Sequence, residues 1–353
     1  MRILELNFER SWRGGERQTV YNIQGFLKAG FSVTLVCRAY FPLEKYAQEN
    51  GWHFKSFTNV FSILLFLFKE GKSYDVIHAQ TAHILTYCIM TKWWHRRPVI
   101  FSRRVDFVPK GRLTKWKYRQ ADAIVAVSVA VKKIVESFCG RSDVVVISDI
   151  AIPEKSNDNR AYKTTNGLGI DANKKILGAV AALVPHKDPL TLIRAINILS
   201  KKRSDFVLLH FGIGELRSEM DKMIAADGLE NQYRCMGFVE NVVDFFSVFD
   251  VFVMSSQEEG LGSSVLDAYL YRVPVVGTNA GGLNDILLPG MSLKVPKQSP
   301  EALADAIDQM LDMQEADKQK MIQTAYQFVL SMHGLEVITQ KYIALINSLL
   351  RKQ

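Results

Sequence analysis

Short runs of β-branched and aliphatic residues recur along this chain, and longer stretches of helical period separate them. In the first half the strand-like runs are 2–6, 32–38, 75–79, 98–102, 123–128 and 144–148, with helical stretches such as 18–28, 82–93 and 129–138 between them. The strand-like runs are nearly continuous in apolar residues, as when helices cover both faces of a parallel sheet. Strand, helix, strand repeated in this way predicts a doubly wound α/β sheet. Residues 153–169 then turn polar, lose apolar periodicity and read as a linker. A second series follows, with strands at 176–181, 206–211, 233–236, 251–255 and 273–278, and with closing helices at 300–313, 316–331 and 335–352.

At 353 residues the chain has the length of two domains. Its 48% hydrophobic and 23% charged residues exclude a disordered chain and suffice for two cores. The expected organisation is two Rossmann-like domains facing across a cleft: 1–152 plus 335–353, and 170–334. The longest apolar run, 60–68, is about half of what a membrane-crossing helix needs. It suits a buried or an interfacial helix. The four cysteines are widely spaced, so neither a disulfide framework nor a zinc site is expected, and a cytoplasmic protein is.

The net charge of +8 is unevenly placed. Residues 1–150 hold 23 Lys and Arg against 12 Asp and Glu, leaving 21 against 24 in the rest. The bases concentrate in 92–119, where Trp93, Trp94 and Trp116 lie among them. Aromatic rings among cations suit an anionic membrane surface or a nucleic acid; a solvated basic face is the plainer reading.

Ligands of open α/β sheets bind beyond the carboxyl ends of the strands. Four segments stand there. Gly14-Gly15-Glu16-Arg17 follows the first strand, either as a simple turn or as an anion-binding helix start. Val184-Pro185-His186-Lys187 carries a lysine that is either a surface group or a partner for a diphosphate. Gly212-Ile213-Gly214 lacks the third glycine of a dinucleotide fingerprint, so a redox dinucleotide is not supported. Ser255 to Asp267 is the densest: Glu259 in a loop, Gly260 and Gly262 after it, and Asp267 eight positions on in a predicted helix. Carboxylates accept bonds from sugar hydroxyls and a helix start holds a diphosphate, so this segment fits a nucleoside diphosphate sugar.

Together these residues resemble the GT-B retaining glycosyltransferases of glycosyltransferase family 4. Gly14-Gly15-Glu16 matches the GGxE loop, Leu183–Lys187 the lysine loop, Gly212-Ile213-Gly214 the GxG turn, and Glu259 to Asp267 the EGxGxxxLE motif. The chain departs from the family at Asp267, one methylene shorter than the usual glutamate, and at Ala182, where an arginine usually precedes the lysine. The resemblance implies a metal-independent, retaining transfer of a sugar from a nucleotide-sugar to a glycan or lipid-linked acceptor, as in lipopolysaccharide or other envelope polysaccharide synthesis. It implies Glu259, Lys187 and His78 as catalytic residues. Donor contacts would come from Gly15, Lys187, Gly212, Gly237, Phe238, Glu259, Leu261, Gly262, Ser264, Val265 and Asp267. Acceptor contacts would come from Arg17, His83, Arg103 and Arg104. No cofactor or metal is expected, since the nucleotide-sugar is a substrate. The partners expected are the donor, the acceptor and an anionic membrane at the inner face of the plasma membrane, and nucleic acid is not one. A nucleotide-sugar-binding protein with little turnover, favoured by Ala182, and a nucleotide-sugar epimerase are the alternatives.

Overall fold

A computed structural model describes residues 1–154 and 156–352. It divides the chain into two compact units, Met1–Ile150 with His333–Gln353, and Ala151–Met332. The second unit therefore starts at Ala151, and the segment 153–169 belongs to it.

The first unit is built on strands β1 (Arg2–Leu6), β2 (Ser32–Arg38), β3 (Phe54–Phe57), β4 (Val76–Ala79), β5 (Val99–Arg103), β6 (Ala123–Ala126) and β7 (Val145–Val146). They form one sheet in the order β3-β2-β1-β4-β5-β6-β7 with every neighbour parallel. The connecting helices are α1 (Gly14–Lys28), α2 (Pro42–Glu49), α3 (Val60–Glu70), α4 (Ala82–His95), α5 (Arg112–Gln120) and α6 (Val129–Cys139). β4, β5 and β6 are buried at every position, which is why their sequences carry no polar alternation. Polar side chains start several of the helices: Asn59, Thr81 and Ser128 accept the backbone N–H of Ser62, Ile84 and Val131.

The second unit repeats the plan. Helix α7 (Asp158–Gly167) leads into β8 (Lys175–Val180), α8 (Pro189–Ser200), β9 (Phe206–Phe211), α9 (Arg217–Ala226), β10 (Tyr233–Gly237), β11 (Val251–Met254), α10 (Ser263–Leu270), β12 (Val275–Thr278) and β13 (Leu293–Val295). The six strands are parallel in the order β10-β9-β8-β11-β12-β13. Helices α11 (Pro300–Asp312), α12 (Glu315–His333) and α13 (Leu335–Leu350) end the chain.

Three sequence expectations are corrected. The polar segment 153–169 contains α7, capped by Asn157 and anchored by buried Ala161 and Thr165; its Lys155 lies outside the described residues. Two buried positions in ten residues are too few to show as periodicity. Edge strands β3 and β13 were not expected, because β3 is half-polar and β13 is three residues long. Gly14 and Gly15 open α1 itself, so this helix begins four residues before the expected start at 18.

Helix α13 belongs to the first unit and packs on α1. A Cβ on Gly25 would stand 2.1 Å from Thr339 Oγ1, and Phe26 meets Tyr342 edge-on at 6.0 Å between ring centroids. Glycine at position 25 is what lets the two helices approach. Gly25→Val should lower the unfolding free energy by about 1–3 kcal/mol through overpacking, read from chemical denaturation.

Buried histidines make stability depend on pH. His333 faces the Ser148 hydroxyl at 3.1 Å and the Asp149 carbonyl at 3.2 Å, and His210 Nδ1 lies 2.6 Å from the Tyr233 hydroxyl. Burial, the main cause in each, pushes both imidazoles down to about 4. Well above the unfolded value near 6.5 neither state holds the proton, and the full native stability is present. As pH falls from about 6.5 towards 4 the unfolded chain gains protons the native chain refuses, so stability falls. Denaturation midpoints should drop between about pH 7 and pH 5, and the drop should shrink in His210→Gln and in His333→Gln.

Candidate functional site

In each sheet the strand order reverses once, between β1 and β4 and between β8 and β11. At such a point the connections leave to opposite faces and open a crevice beyond the carboxyl ends. The four segments singled out in the sequence follow the carboxyl ends of β1, β8, β9 and β11.

In the second unit, β8 runs through residues 181–184 into a short turn of 3-10 helix, Pro185–Lys187, and Asp188 then caps α8. β11 runs through Ser255 and Ser256 into the loop bearing Glu259, and α10 follows. Lys187 Nζ forms an ion pair with Glu259 Oε2, both side chains mostly buried. Two residues 72 apart in sequence thus meet where the strand order reverses. The loop around them is tied down. His186 carbonyl accepts the N–H groups of Gln257 (2.9 Å) and Glu258 (3.1 Å). Ser256 donates to Glu259 Oε2 at 3.2 Å, Ser255 to the Lys187 carbonyl at 3.1 Å, and Thr278 to the Ser256 carbonyl at 2.6 Å. Ser255 and Ser256 lay inside the segment noticed in the sequence, but nothing there marks their hydroxyls as supports for the ion pair. Thr278 ends the expected strand 273–278, and nothing in the sequence marks its hydroxyl for this contact.

Glycines allow the backbones to close on one another. Gly282 N–H donates to the Glu259 carbonyl at 2.7 Å, and a Cβ on Gly282 would lie 2.0 Å from the Gly260 carbonyl oxygen. Gly212, at φ +154°, passes the Ala181 carbonyl so closely that a Cβ would stand 1.9 Å from it. Its N–H donates to the Gly237 carbonyl at 2.8 Å, so the loops after β8, β9 and β10 are joined side by side. Gly237 (φ +72°) has open space where a Cβ would be, and Phe238 beside it is exposed.

The start of α10 differs from expectation at one point. Val265 is buried and its N–H already donates to the Gly262 carbonyl at 2.9 Å, which removes it from the groups free to hold a diphosphate. Ser264 remains half-buried in the first turn, where helical N–H groups have no partner four residues back. Leu261 and Gly262 are buried, with Gly262 at φ +94° capping α10. Asp267 is buried as the fifth residue of α10. Ala182 is exposed on the loop after β8.

In the first unit the crevice position is filled by the protein's own side chains. His78 lies inside β4, with its side chain in the interior of the unit. It is 1% exposed, with Nδ1 donating to Glu5 Oε1 and Nε2 facing the Ser102 hydroxyl, both at 2.8 Å. Gln80 donates to Glu5 Oε2 at 2.7 Å, and the Ser102 hydroxyl lies 3.1 Å from that of Tyr342 on α13. Arg104 donates to Asp149 at 3.0 Å and to Gln80 Oε1 at 2.5 Å. Burial works against its charge, and Tyr342, Asp149 and Glu5 outweigh it, so Arg104 is held more firmly protonated than usual. Sequence reading missed Glu5 and Ser102 in strands, Asp149 in a loop and Tyr342 in α13, because single polar residues give no pattern.

The remaining expected residues divide in the same way. Arg103 is buried, donating to the Tyr118 hydroxyl at 2.8 Å and to the Phe107 carbonyl, so it serves the interior of its unit. Arg17 lies over the Tyr21 ring at 5.9 Å, and His83 is exposed beside Tyr87. Gly15 has open space around its missing Cβ, so nothing within the chain requires glycine there. Its neighbour Glu16 accepts the Arg13 N–H at 2.8 Å and thereby caps α1; burial, its largest influence, pushes its carboxyl up. Of the three expected catalytic residues, the fold therefore joins Lys187 and Glu259 and encloses His78 in a network of its own.

Comparison with known proteins bears on the same segments. Residues 163–328 match the family described as "Glycosyl transferases group 1", and residues 12–149 match "Glycosyltransferase Family 4". A D-inositol 3-phosphate glycosyltransferase of Corynebacterium urealyticum is 27% identical over 281 residues, covering 71% of this chain and 66% of that protein. The lipopolysaccharide core biosynthesis glycosyltransferase LpsE of Rhizobium meliloti is 25% identical over 233 residues, covering 65% of this chain and 66% of that protein. The matches thus span just under two thirds of each relative. Among solved structures, Anabaena HepE in complex with UDP and glucose superposes with a TM-score of 0.84 at 18% identity, covering 99% of this chain and 100% of that one. A glycosyltransferase from Rickettsia africae gives a TM-score of 0.87 at 18% identity, covering 100% of this chain and 99% of that one. With two parallel α/β sheets of this topology and two family matches that between them take in most of its length, the chain belongs to the GT-B glycosyltransferases of family 4.

Proposed function

We propose that this protein is a retaining glycosyltransferase that moves a sugar from a nucleotide-sugar to a glycan or lipid-linked acceptor in the synthesis of lipopolysaccharide or another envelope polysaccharide. The observation that carries the reading is the Lys187–Glu259 pair where the strand order reverses in the second unit. HepE, of the same fold, is described in complex with UDP, with UDP-glucose, and with UDP and glucose, which supports a nucleotide-sugar as donor. LpsE supports an envelope glycan as product.

In this reading the donor separates the ion pair. The diphosphate takes the Lys187 ammonium and the N–H groups at the start of α10, and the sugar hydroxyls take the Glu259 carboxylate. The base lies against the exposed ring of Phe238 and the open backbone at Gly237, and Asp267 accepts from the ribose. The bond from the anomeric carbon to the diphosphate breaks, its electron pair stays on the phosphate oxygen, and Lys187 stabilises the charge that grows there. The acceptor hydroxyl bonds to the anomeric carbon on the face the diphosphate leaves, and its proton passes to the departing phosphate. Lys187 and the start of α10 supply the stabilisation, so the reading is of a metal-independent transfer. No arginine stands at Ala182 to assist, and Arg103 and Arg104 are engaged within their own unit. That favours, as a second reading, a protein that binds the donor and turns it over slowly.

The test is thermal stabilisation by UDP-, GDP-, ADP- and CMP-sugars, followed by the release of nucleoside diphosphate with and without membrane extract as acceptor. One donor should stabilise and be consumed, and stabilisation without consumption selects the second reading. Lys187→Ala and Glu259→Ala should each lower the transfer rate at least about a hundredfold, as for the loss of one preorganised polar group. Normal rates in both purified variants would remove the site. Gly282→Ala, which pushes on the Gly260 carbonyl, should displace the Glu259 loop and weaken stabilisation by the donor at least about tenfold, while global stability falls by only about 1–3 kcal/mol.

A further inference from the structure

Helices α3, α4 and α5 of the first unit lie side by side and expose an apolar, aromatic face that the donor chemistry does not use. Phe61 and Leu65, one turn apart on α3, are 66% and 45% exposed. Met90 and Trp93 on α4 are 50% and 68% exposed, and Leu113 and Trp116 on α5 are 64% and 45% exposed. Spacings of three and four residues put each pair on one side of its helix. Phe68 joins α3 to α4 by edge-on contacts with Trp93 at 6.0 Å and Trp94 at 6.2 Å. Between α4 and α5 an open groove of about 680 Å³ is walled by Met90, Trp93, Arg96, Arg97 and Trp116. Isolated exposed apolar residues need no explanation, but a contiguous set on three neighbouring helices marks an interaction surface.

Cations run through this face. Residues 92–119 contain ten Lys and Arg against the single Asp106, and of the ten Arg103, Arg104 and Lys117 are turned into the unit's own interior contacts. Arg96, Lys110, Arg112 and Arg119 are exposed, and Lys72 lies 4.2 Å from the centre of the Trp94 ring. The acids at its border are Glu70 and Asp122, and Asp122 is paired with Lys92 at 2.8 Å. Exposed indoles with aliphatic side chains between them and bases around them match the boundary between headgroups and acyl chains. A second copy of the chain fits poorly, because a two-fold contact would set these bases against themselves. A nucleic acid would use the rings and the bases but has no use for Leu65, Met90 and Leu113.

We propose that this α3–α4–α5 face docks the protein on a membrane surface rich in anionic lipid, with Trp93, Trp116, Phe61 and Leu113 entering the interface and the bases pairing with headgroup phosphates. No helix among the described residues is long and apolar enough to cross a membrane, so the contact is peripheral where this part of the chain is concerned. The inference stands apart from the proposed reaction, since the residues named for the donor in the second unit are not among those on this face.

The experiment is co-sedimentation of the full chain with vesicles of phosphatidylcholine alone, and with vesicles of phosphatidylcholine and phosphatidylglycerol in equal parts. The wild type should partition onto the anionic vesicles and be released by salt. Trp93→Ala with Trp116→Ala should lower the partition coefficient at least about tenfold by removing buried apolar area. Lys110→Gln and Arg112→Gln should each lower it about fivefold, the ratio that matches about 1 kcal/mol per base near an anionic surface. All four side chains are on the surface, and unchanged melting of the variants shows that folding is not the cause. Equal partition onto both vesicle types, no partition, or unchanged partition in the tryptophan variants overturns the proposal. So does a concentration-dependent dimer that the tryptophan variants abolish, which would give the face to a second copy.

Discussion

Parallel strands must be buried on both faces, and that requirement organises each half of this protein. Helices have to cover both sides of each sheet, so the strand order must reverse somewhere, and the reversal leaves a crevice at the carboxyl ends. The two units meet this constraint in the same way and use the resulting crevice differently.

In the second unit the crevice ends in a pair of opposite charges. Lys187 and Glu259 neutralise each other, and bonds to backbone fix the loop that holds them. A half-buried ion pair of this kind is weak evidence for stability, because desolvation offsets much of its attraction. What it does is leave neither charge unpaired where the strand order reverses. Gly212, Gly214 and Gly282 serve the same end: each lets one backbone lie against the next where a side chain would force them apart.

In the first unit the corresponding position is closed by its own residues. Glu5, His78, Gln80, Ser102, Arg104, Asp149 and Tyr342 form one connected polar network that draws in α13. Such a network is stabilising only while every member keeps its partner, which makes α13 a structural part of the unit rather than a tail. The face of α3, α4 and α5 has the opposite character, apolar where it meets water, and the surrounding charge indicates what covers it.

The central strands of both units were legible in the sequence because burial on both faces writes itself as apolar runs, as in β4, β5 and β9, and the edge strands β3 and β13 were not. The segments around Lys187 and Glu259 stood out in the sequence because close backbone approach demands glycine at those spacings. Helix α7 was not, since a helix held by a cap and two small buried residues carries no periodic signature. Nor was the interior place of His78 and Arg103, because a polar residue in a strand looks the same whether it faces a ligand or a buried partner. The sequence by itself determined most of the elements and the glycine-rich segments that follow their ends. Only the tertiary structure decided which of those groups meet, because the partners are tens of residues apart: 72 between Lys187 and Glu259, 73 between Glu5 and His78, 240 between Ser102 and Tyr342. Contacts over such separations exist only once the strands have taken their order in the sheet.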